Sequence, residues 1–566
     1  MAFTREVITL QIGNYSNYVG AHWWNIQESG FSYDPEGPTS EISNDILFRE
    51  GINQKRCTTF TPRLLSIDHK SSLGALPADG GLYEDNTSIL ETIESEELAF
   101  SERDTLWEQN RLEVIKEVPI ARSEYQTDLD SGIQNVGDKE YNFHNSTKTW
   151  TDFMYTRYHP RSINLLPLLN ETHQRSTFDC FSRGTQIWKE NYFDDDFGDR
   201  IRQYVEECNN CQGFQTLFDC SDAFSGLSTK VLEHIQDEYN KTSFTIPIFS
   251  PKQIDCGIEL NEPLCDSVRV VNSVLTYANL IESSSLILPL STMGRCWRKL
   301  SNPRRFPLFD YDPLNLYDTS SILATYLDTI SLRYRVRDTI DQCHLASFCS
   351  DLTNYGRKIA SAGLVMPFKM THEQDLIDCL DQFEGKLFTQ LSPHSEIGTD
   401  RIVQSVCVRG IPKHRVKNTK SQKIMERQQK MAGYRCDSVS EMFQLYFQCA
   451  NYASLSHVIA LEKGMPTRKP FPVELFDKRL NKNGFWTEDF FESDVNERIR
   501  SVPLMATAQS SSEIGDTLET LHREAKRIKI GKIHRFKESG LEFDEFEEAR
   551  EKLNEFKENY DDCFEL

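Results

Sequence analysis

The sequence predicts a mixed α/β fold, and three observations carry that expectation. Val7-Ile8-Thr9-Leu10-Gln11-Ile12 alternates apolar with polar residues, and a polar turn and an apolar-faced helix follow it. Buried strand, short polar turn and helix return in the same order within residues 213–239. The chain ends on a long helix with a single apolar stripe.

Taken in order, the first strand covers 7–12, residues 13–17 supply the turn, and 19–24 open the first helix. Such a strand, turn and helix open nucleotide-binding α/β units, a beginning shared by many folds. A second strand is expected at 63–67, ending at Asp68. Residues 84–140 hold 16 Asp/Glu against 5 Lys/Arg with weak periodicity. That composition reads as a mostly disordered acidic insertion with a short helix near 106–118; the alternative is a partner-binding lobe. Residues 200–207 are helical in pattern and 213–218 read as a buried strand. Leu227, Val231, Leu232 and Ile235 then share one helix face running to Tyr239. Further strand-like runs fall at 243–249, 362–368 and 402–408. Residues 413–430 carry seven Lys/Arg against one Glu, the pattern of a solvated loop. Phe543, Phe546, Ala549, Leu553, Phe556 and Tyr560 step by three or four along the last helix, opposite an acidic face. A short acidic tail follows. The expected organisation is an N-terminal α/β domain over 1–285, interrupted by the insertion 84–140. A linking helix and a second α/β domain with the basic loop 413–430 span 286–485, and C-terminal helices span 486–566.

The 566 residues carry 63 Lys+Arg against 86 Asp+Glu, a net charge of −23. An acidic surface repels phosphate backbones, so a nucleic-acid partner is not expected. No apolar run reaches the ~18 residues that a membrane-spanning helix needs. The opening Met1-Ala2-Phe3-Thr4-Arg5-Glu6-Val7 has neither a signal core nor an Arg-rich presequence, so a cytoplasmic chain is expected. Fifteen cysteines are too few and too odd in number for a disulfide scaffold. Cys208 and Cys211 have CxxC spacing with no second pair to complete a four-ligand zinc site, so no metal is expected. Neither a GxSxG elbow nor a GxxxxGK[ST] loop is present.

Four segments, in the right order, resemble tubulin. They are Arg5-Glu6-Val7-Ile8 with the run from Gly13 to Trp24, the run from Glu207 to Gln215, Val408-Arg409-Gly410, and Glu545-Phe546-Glu547-Glu548-Ala549-Arg550. Val19-Gly20-Ala21-His22-Trp23-Trp24-Asn25, Thr61-Pro62-Arg63-Leu64, Gly80-Gly81-Leu82-Tyr83 and His159-Pro160-Arg161-Ser162-Ile163 are closer to the Misato family of divergent tubulin/FtsZ relatives. So are Tyr204-Val205-Glu206-Glu207-Cys208 and Ala223-Phe224-Ser225-Gly226. The resemblance implies a tubulin/FtsZ-like fold: a Rossmann-type N-terminal half like a nucleotide domain, a second α/β domain and closing helices. It further implies a role in mitochondrial distribution and morphology and in spindle assembly and chromosome segregation. Tubulin or tubulin-folding chaperones are the implied partners, and a peripheral association with the outer surface of mitochondria is the implied location.

The nucleotide chemistry of such a fold is eroded in this sequence. A tubulin-type phosphate loop is glycine-rich so that backbone N–H groups can reach the anion. Cys220-Ser221-Asp222-Ala223-Phe224-Ser225-Gly226 stands in its place and keeps only Ser225 and Gly226. In the first turn, Tyr15 replaces a phosphate-facing Cys and Tyr18 a Gln, while Asn14 and Asn17 remain as contacts. Where tubulins carry an acidic Mg²⁺ motif, this chain reads Asp68-His69-Lys70. The stretch from Cys349 to Asn354 keeps Asp351 but ends without the acid that completes hydrolysis in trans. Asn14, Tyr15, Asn17, Asp68, Ser225 and Gly226 are therefore candidate remnants of a nucleotide site. No catalytic residue is assigned, and no cofactor is expected. The rival expectation is a GTP-binding, polymer-forming GTPase. The plainer reading of Asn14, Asp68 and Ser225 is turn and capping chemistry.

Overall fold

Six strands of the N-terminal half assemble into one parallel sheet, while Phe48–Ile52 and Thr58–Pro62 form a separate antiparallel pair. A computed structural model of the chain describes residues 5–31, 40–52, 56, 58–77, 80, 120–132, 139–166, 178–252, 262–337, 342–371, 374–395, 401–417, 430–450, 453–487 and 499–560. Strands β1 (Val7–Ile12), β2 (Leu64–Asp68), β3 (Ile163–Leu165), β4 (Gly213–Asp219), β5 (Thr242–Ile248) and β6 (Leu286–Ile287) pair in the order β3-β2-β1-β4-β5-β6. Every neighbouring pair is parallel. This is the strand order of a doubly wound nucleotide-binding sheet.

Successive side chains of a strand point to opposite faces. Val7, Leu64 and Leu217 accordingly enter one core, and Ile8, Leu10, Leu65, Phe214 and Phe218 enter a second. Both faces are covered, so β1 and β4 are buried throughout. In chain order the helices include α1 (Asn14–Ser29), α2 (Glu124–Asp130), α3 (Phe181–Ile187), α4 (Phe193–Glu206), α5 (Phe224–Tyr239), α6 (Glu262–Ser283), α7 (Leu316–Ile330), α8 (Leu345–Leu352), α9 (Val439–Cys449), α10 (Glu513–Lys526), α11 (His534–Glu538) and α12 (Phe543–Lys557). Residues of α1 and α7 line the first core; residues of α5, α6, α10 and α12 line the second.

The second sheet contains β7 (Ser361–Val365), β8 (Thr389–Gln390), β9 (Arg401–Arg409), β10 (Leu455–Leu461) and β11 (Leu504–Ser511), in the order β8-β7-β11-β9-β10. Only β9 and β10 run parallel. Helix α7 packs against α1 on one side and β9 and β11 on the other, and every residue from Tyr317 to Ile330 is buried. Its Ser and Thr hydroxyls are satisfied within the helix, as in Thr325 Oγ1 to Ser321 O at 2.8 Å and Thr329 Oγ1 to Thr325 O at 2.9 Å.

The structure differs from the sequence reading in four places. Asn14 to Asn17 form the first turn of α1, not a turn ahead of it. Part of the acidic stretch 84–140 is ordered against the body: in α2, Ser123 caps the N-terminus and Tyr125 is buried. The helix expected at 106–118 lies outside the described residues. Region 486–566 is not helical alone, because β11 is the central strand of the second sheet. Phe543 is 61% exposed and leaves the apolar stripe, which starts at Phe546.

Candidate functional site

Doubly wound sheets bind ligands outside the carboxyl ends of their strands, where the strand order reverses. Here that point lies between β1 and β4. Gly13 follows β1 with φ 112° and has no side chain with which to cap α1. The free N–H groups of a helix start need an acceptor and favour a negative one. Asp219, the last residue of β4, supplies it. Its Oδ2 accepts from the Tyr15 N–H at 2.9 Å, and its Oδ1 accepts from the Ser16 N–H at 2.8 Å and the Ser16 hydroxyl at 2.6 Å. A Cβ at residue 13 would fall 2.6 Å from Asp219 Cγ, so the glycine is what admits the carboxylate. The anion position of α1 is thus filled from within the chain.

Two further acids border it. Asp68 Oδ2 accepts from Asn17 Nδ2 and from Trp150 Nε1, each at 3.0 Å, and Oδ1 accepts from the His69 N–H at 2.8 Å. Asp222 Oδ1 accepts from the Phe224 N–H at 3.0 Å. Asn272 of α6 ties the surrounding loops together: it donates to Asp179 O at 2.7 Å and Ser221 O at 2.8 Å and accepts from the Phe181 N–H at 2.8 Å. The rings of His69, Phe178 and Phe224 pack edge to face with centroids 4.9 to 5.2 Å apart.

Burial pushes Asp219 up to about 7 and Asp68 up to about 6, and drives Asp222 well above the carboxylate range, with Asp219 adding repulsion. An acid whose folded pKa exceeds its unfolded value binds its proton more tightly when folded. Its contribution is therefore most favourable below the unfolded value, and stability falls as pH rises through the folded one. For Asp219 that window runs from 3.8 to about 7. The melting temperature of the wild type, measured relative to Asp219→Asn, is expected to fall across this window. A difference that stays flat or grows with pH would show that the carboxylate is not held against its charge.

The structure brings Asn17 and Asp68 together and sets the other candidates apart. Asn14 opens α1, half-buried, outside the Asp219 bonds. Tyr15 faces Asp219 through its N–H, while its buried phenol lies among Thr292, Thr319 and Tyr311. The Ser225 hydroxyl donates to Asp222 O at 2.6 Å. Gly226 faces α3, where an added Cβ would stand 1.9 Å from Phe181 O, and Gly184 meets Ala223 O at 1.8 Å in the same way. The residue conserves a close helix contact whatever else it does. Gly226→Ala is expected to cost about 3 kcal/mol through forced separation of α3 and α5; an unchanged thermal melt would contradict this packing role. Asp351 lies elsewhere, 3.3 Å from Arg333 Nη2, and Asn354 is exposed.

Asp219 is the residue that the sequence does not mark, because it closes β4 one position ahead of the eroded loop 220–226. A signal was present in the first turn: Gly13 cannot cap the helix that it begins, so an acceptor must come from elsewhere.

A family model described as the Misato Segment II tubulin-like domain matches residues 5–131, and one described as a tubulin domain matches residues 142–336. The chain is 40% identical over 578 residues to Protein misato of Drosophila melanogaster, covering 99% of each. It is 30% identical over 582 residues to Protein misato homolog 1 of Danio rerio, covering 97% of this chain and 95% of that one. Protein misato homolog 1 of Homo sapiens is 30% identical over 579 residues, covering 98% of each.

Proposed function

The chain belongs to the Misato family of tubulin-like proteins, and from that premise we propose that it is a non-hydrolytic tubulin-fold factor that works without bound GTP. Its proposed settings are mitochondrial distribution and morphology and spindle microtubule assembly, with protein partners such as tubulin or its folding chaperones. Attachment to mitochondria is peripheral and cytosolic in this reading. Among the described residues no helix is long and apolar enough to cross a membrane.

One observation supports the reading without turnover: the Asp219 carboxylate occupies the helix start at the switch point. A phosphate oxygen there would meet Asp219, with Asp68 and Asp222 close behind. In its protonated form Asp219 still fills the site and holds its N–H donors, and in its ionised form it adds like-charge repulsion of about 4 kcal/mol at ~4 Å and an effective dielectric constant of ~20. One hydrogen bond to the loop returns only about 0.5–1.5 kcal/mol, or up to about 3 when charged. Hydrolysis also needs a group to orient the attacking water, and Asn354 offers no carboxylate at the place expected for it.

The rival reading, a polymer-forming GTPase, makes opposite predictions for the pure protein. The non-hydrolytic factor should purify without guanine nucleotide, fail to turn over GTP, and stay in the supernatant when centrifuged with GTP at micromolar concentration. Stoichiometric guanine nucleotide or GTP-dependent pelleting would overturn the proposal.

A further inference from the structure

Residues 523–537 hold seven Lys/Arg and one Glu in a chain whose net charge is −23. Their arrangement follows from their spacing. Ile530, Ile533 and Phe536 recur every three residues and are 6%, 3% and 0% exposed. The segment between α10 and the end of α11 therefore lies with its apolar side on the second core. That orientation turns Lys529, Lys532 and Lys537 outward, and together with Lys526, which ends α10, all four are exposed. The three arginines are engaged: Arg523 donates to Thr520 Oγ1 at 3.4 Å, Arg527 pairs with Glu524 at 2.7 Å, and Arg535 turns inward to the buried Asp179. No ion pair or side-chain hydrogen bond engages Lys526, Lys529, Lys532 or Lys537 among the described residues.

We propose that this four-lysine surface docks an acidic polypeptide segment of a partner protein. Clustered like charges repel one another and oppose folding, and an acidic strand of chain laid across them relieves that repulsion. The extent of the ligand selects a peptide over a membrane. A bilayer or a nucleic acid presents charge far beyond the patch, and there it meets the acidic remainder of this protein. Screening limits attraction to about 8 Å at physiological salt, so a narrow acidic segment senses the lysines and little else. Interfacial binding to lipid also draws on exposed apolar side chains. The large exposed ones, such as Ile52, Tyr192, Tyr355 and Phe543, all lie outside residues 523–537.

The test uses the full chain and a short fluorescent peptide of alternating Glu and Gly, read by anisotropy. Wild type should bind the peptide at low salt and release it as salt rises. K526Q/K529Q/K532Q/K537Q should weaken binding by about tenfold or more with an unchanged thermal melt. K529Q/K532Q should fall between the two, which keeps the test usable if the quadruple variant misfolds. Neutralising the exposed Lys478 and Lys482 of the second domain should leave binding as in the wild type. Failure of wild type to bind the peptide would overturn the proposal, as would equal binding by the quadruple variant. So would lysine-dependent flotation with phosphatidylcholine/phosphatidylserine vesicles in place of peptide binding.

Discussion

Replacing Phe546 and Phe556 together by Ala is expected to unfold the protein at physiological temperature. Both rings lie on the face of α12 that packs on α6 and α10, at 1% and 7% exposure. The end of the helix is pinned as well: the Tyr560 hydroxyl accepts from the Ile359 N–H at 2.8 Å and donates to Ile359 O at 3.1 Å, and Asn559 O accepts from Arg357 Nε at 2.7 Å. Truncating a core Phe costs about 3–5 kcal/mol. The two positions lie almost three helical turns apart, so their costs should add to about 6–10 kcal/mol. A domain's whole stability is about 5–15 kcal/mol. Loss of the cooperative melt, with aggregation, is the expected outcome. The comparison is Glu551→Lys/Glu555→Lys/Glu558→Lys on the exposed side of the same helix. Glu547 is left out because it is tied to Arg550. The triple Lys variant should melt close to wild type, since exposed charges contribute about 0–1 kcal/mol each. Equal losses in both variants would mean that the two faces of α12 are wrongly assigned.

The stripe on α12 was legible because a helix with one buried face repeats its apolar residues every three or four positions. The parallel strands were legible for a related reason, since burial on both faces selects short apolar runs between turn residues. Helix α7 and strand β11 were not. Asp318-Thr319-Ser320-Ser321 reads as surface, yet each of these residues is buried, their hydroxyls bonded back to the preceding turn. Leu504 to Ser511 is rich in small and polar residues, yet all eight are buried between neighbouring strands and α7. In both, tertiary packing overrode composition, and no local pattern records it. The candidate site divides in the same way. Erosion of the glycine loop could be read from single residues. The carboxylate at the helix start could not, because Asp219 and Tyr15 stand 204 positions apart in sequence and meet only when β1 and β4 pair.

Asp328→Asn is expected to cost about 3–5 kcal/mol, by stranding two buried cations. Asp328 on α7 is 2% exposed; its Oδ1 accepts from Arg335 Nη1 at 2.9 Å and its Oδ2 from Arg409 Nη1. Arg335 and Arg409 are themselves 2% and 3% exposed. The Val408-Arg409-Gly410 signature, which drew attention as a family likeness, therefore fastens β9 to the central helix. Burial already pulls the Arg409 guanidinium below its ordinary range, and Asp328 is the chief group that opposes this. Neutralising Asp328 leaves two positive charges out of water with no carboxylate between them. Arg409→Met behaves differently, because it removes one of the two cations and leaves the Asp328–Arg335 pair balanced. Breaking a buried network by deleting its single anion should therefore lower the melting temperature more than deleting one of its two cations. Should Arg409→Met prove the more damaging, the hydrogen bonds of the Arg409 guanidinium, to Gly464 O as well as to Asp328, rather than the charge balance around Asp328, would be what joins the second sheet to α7.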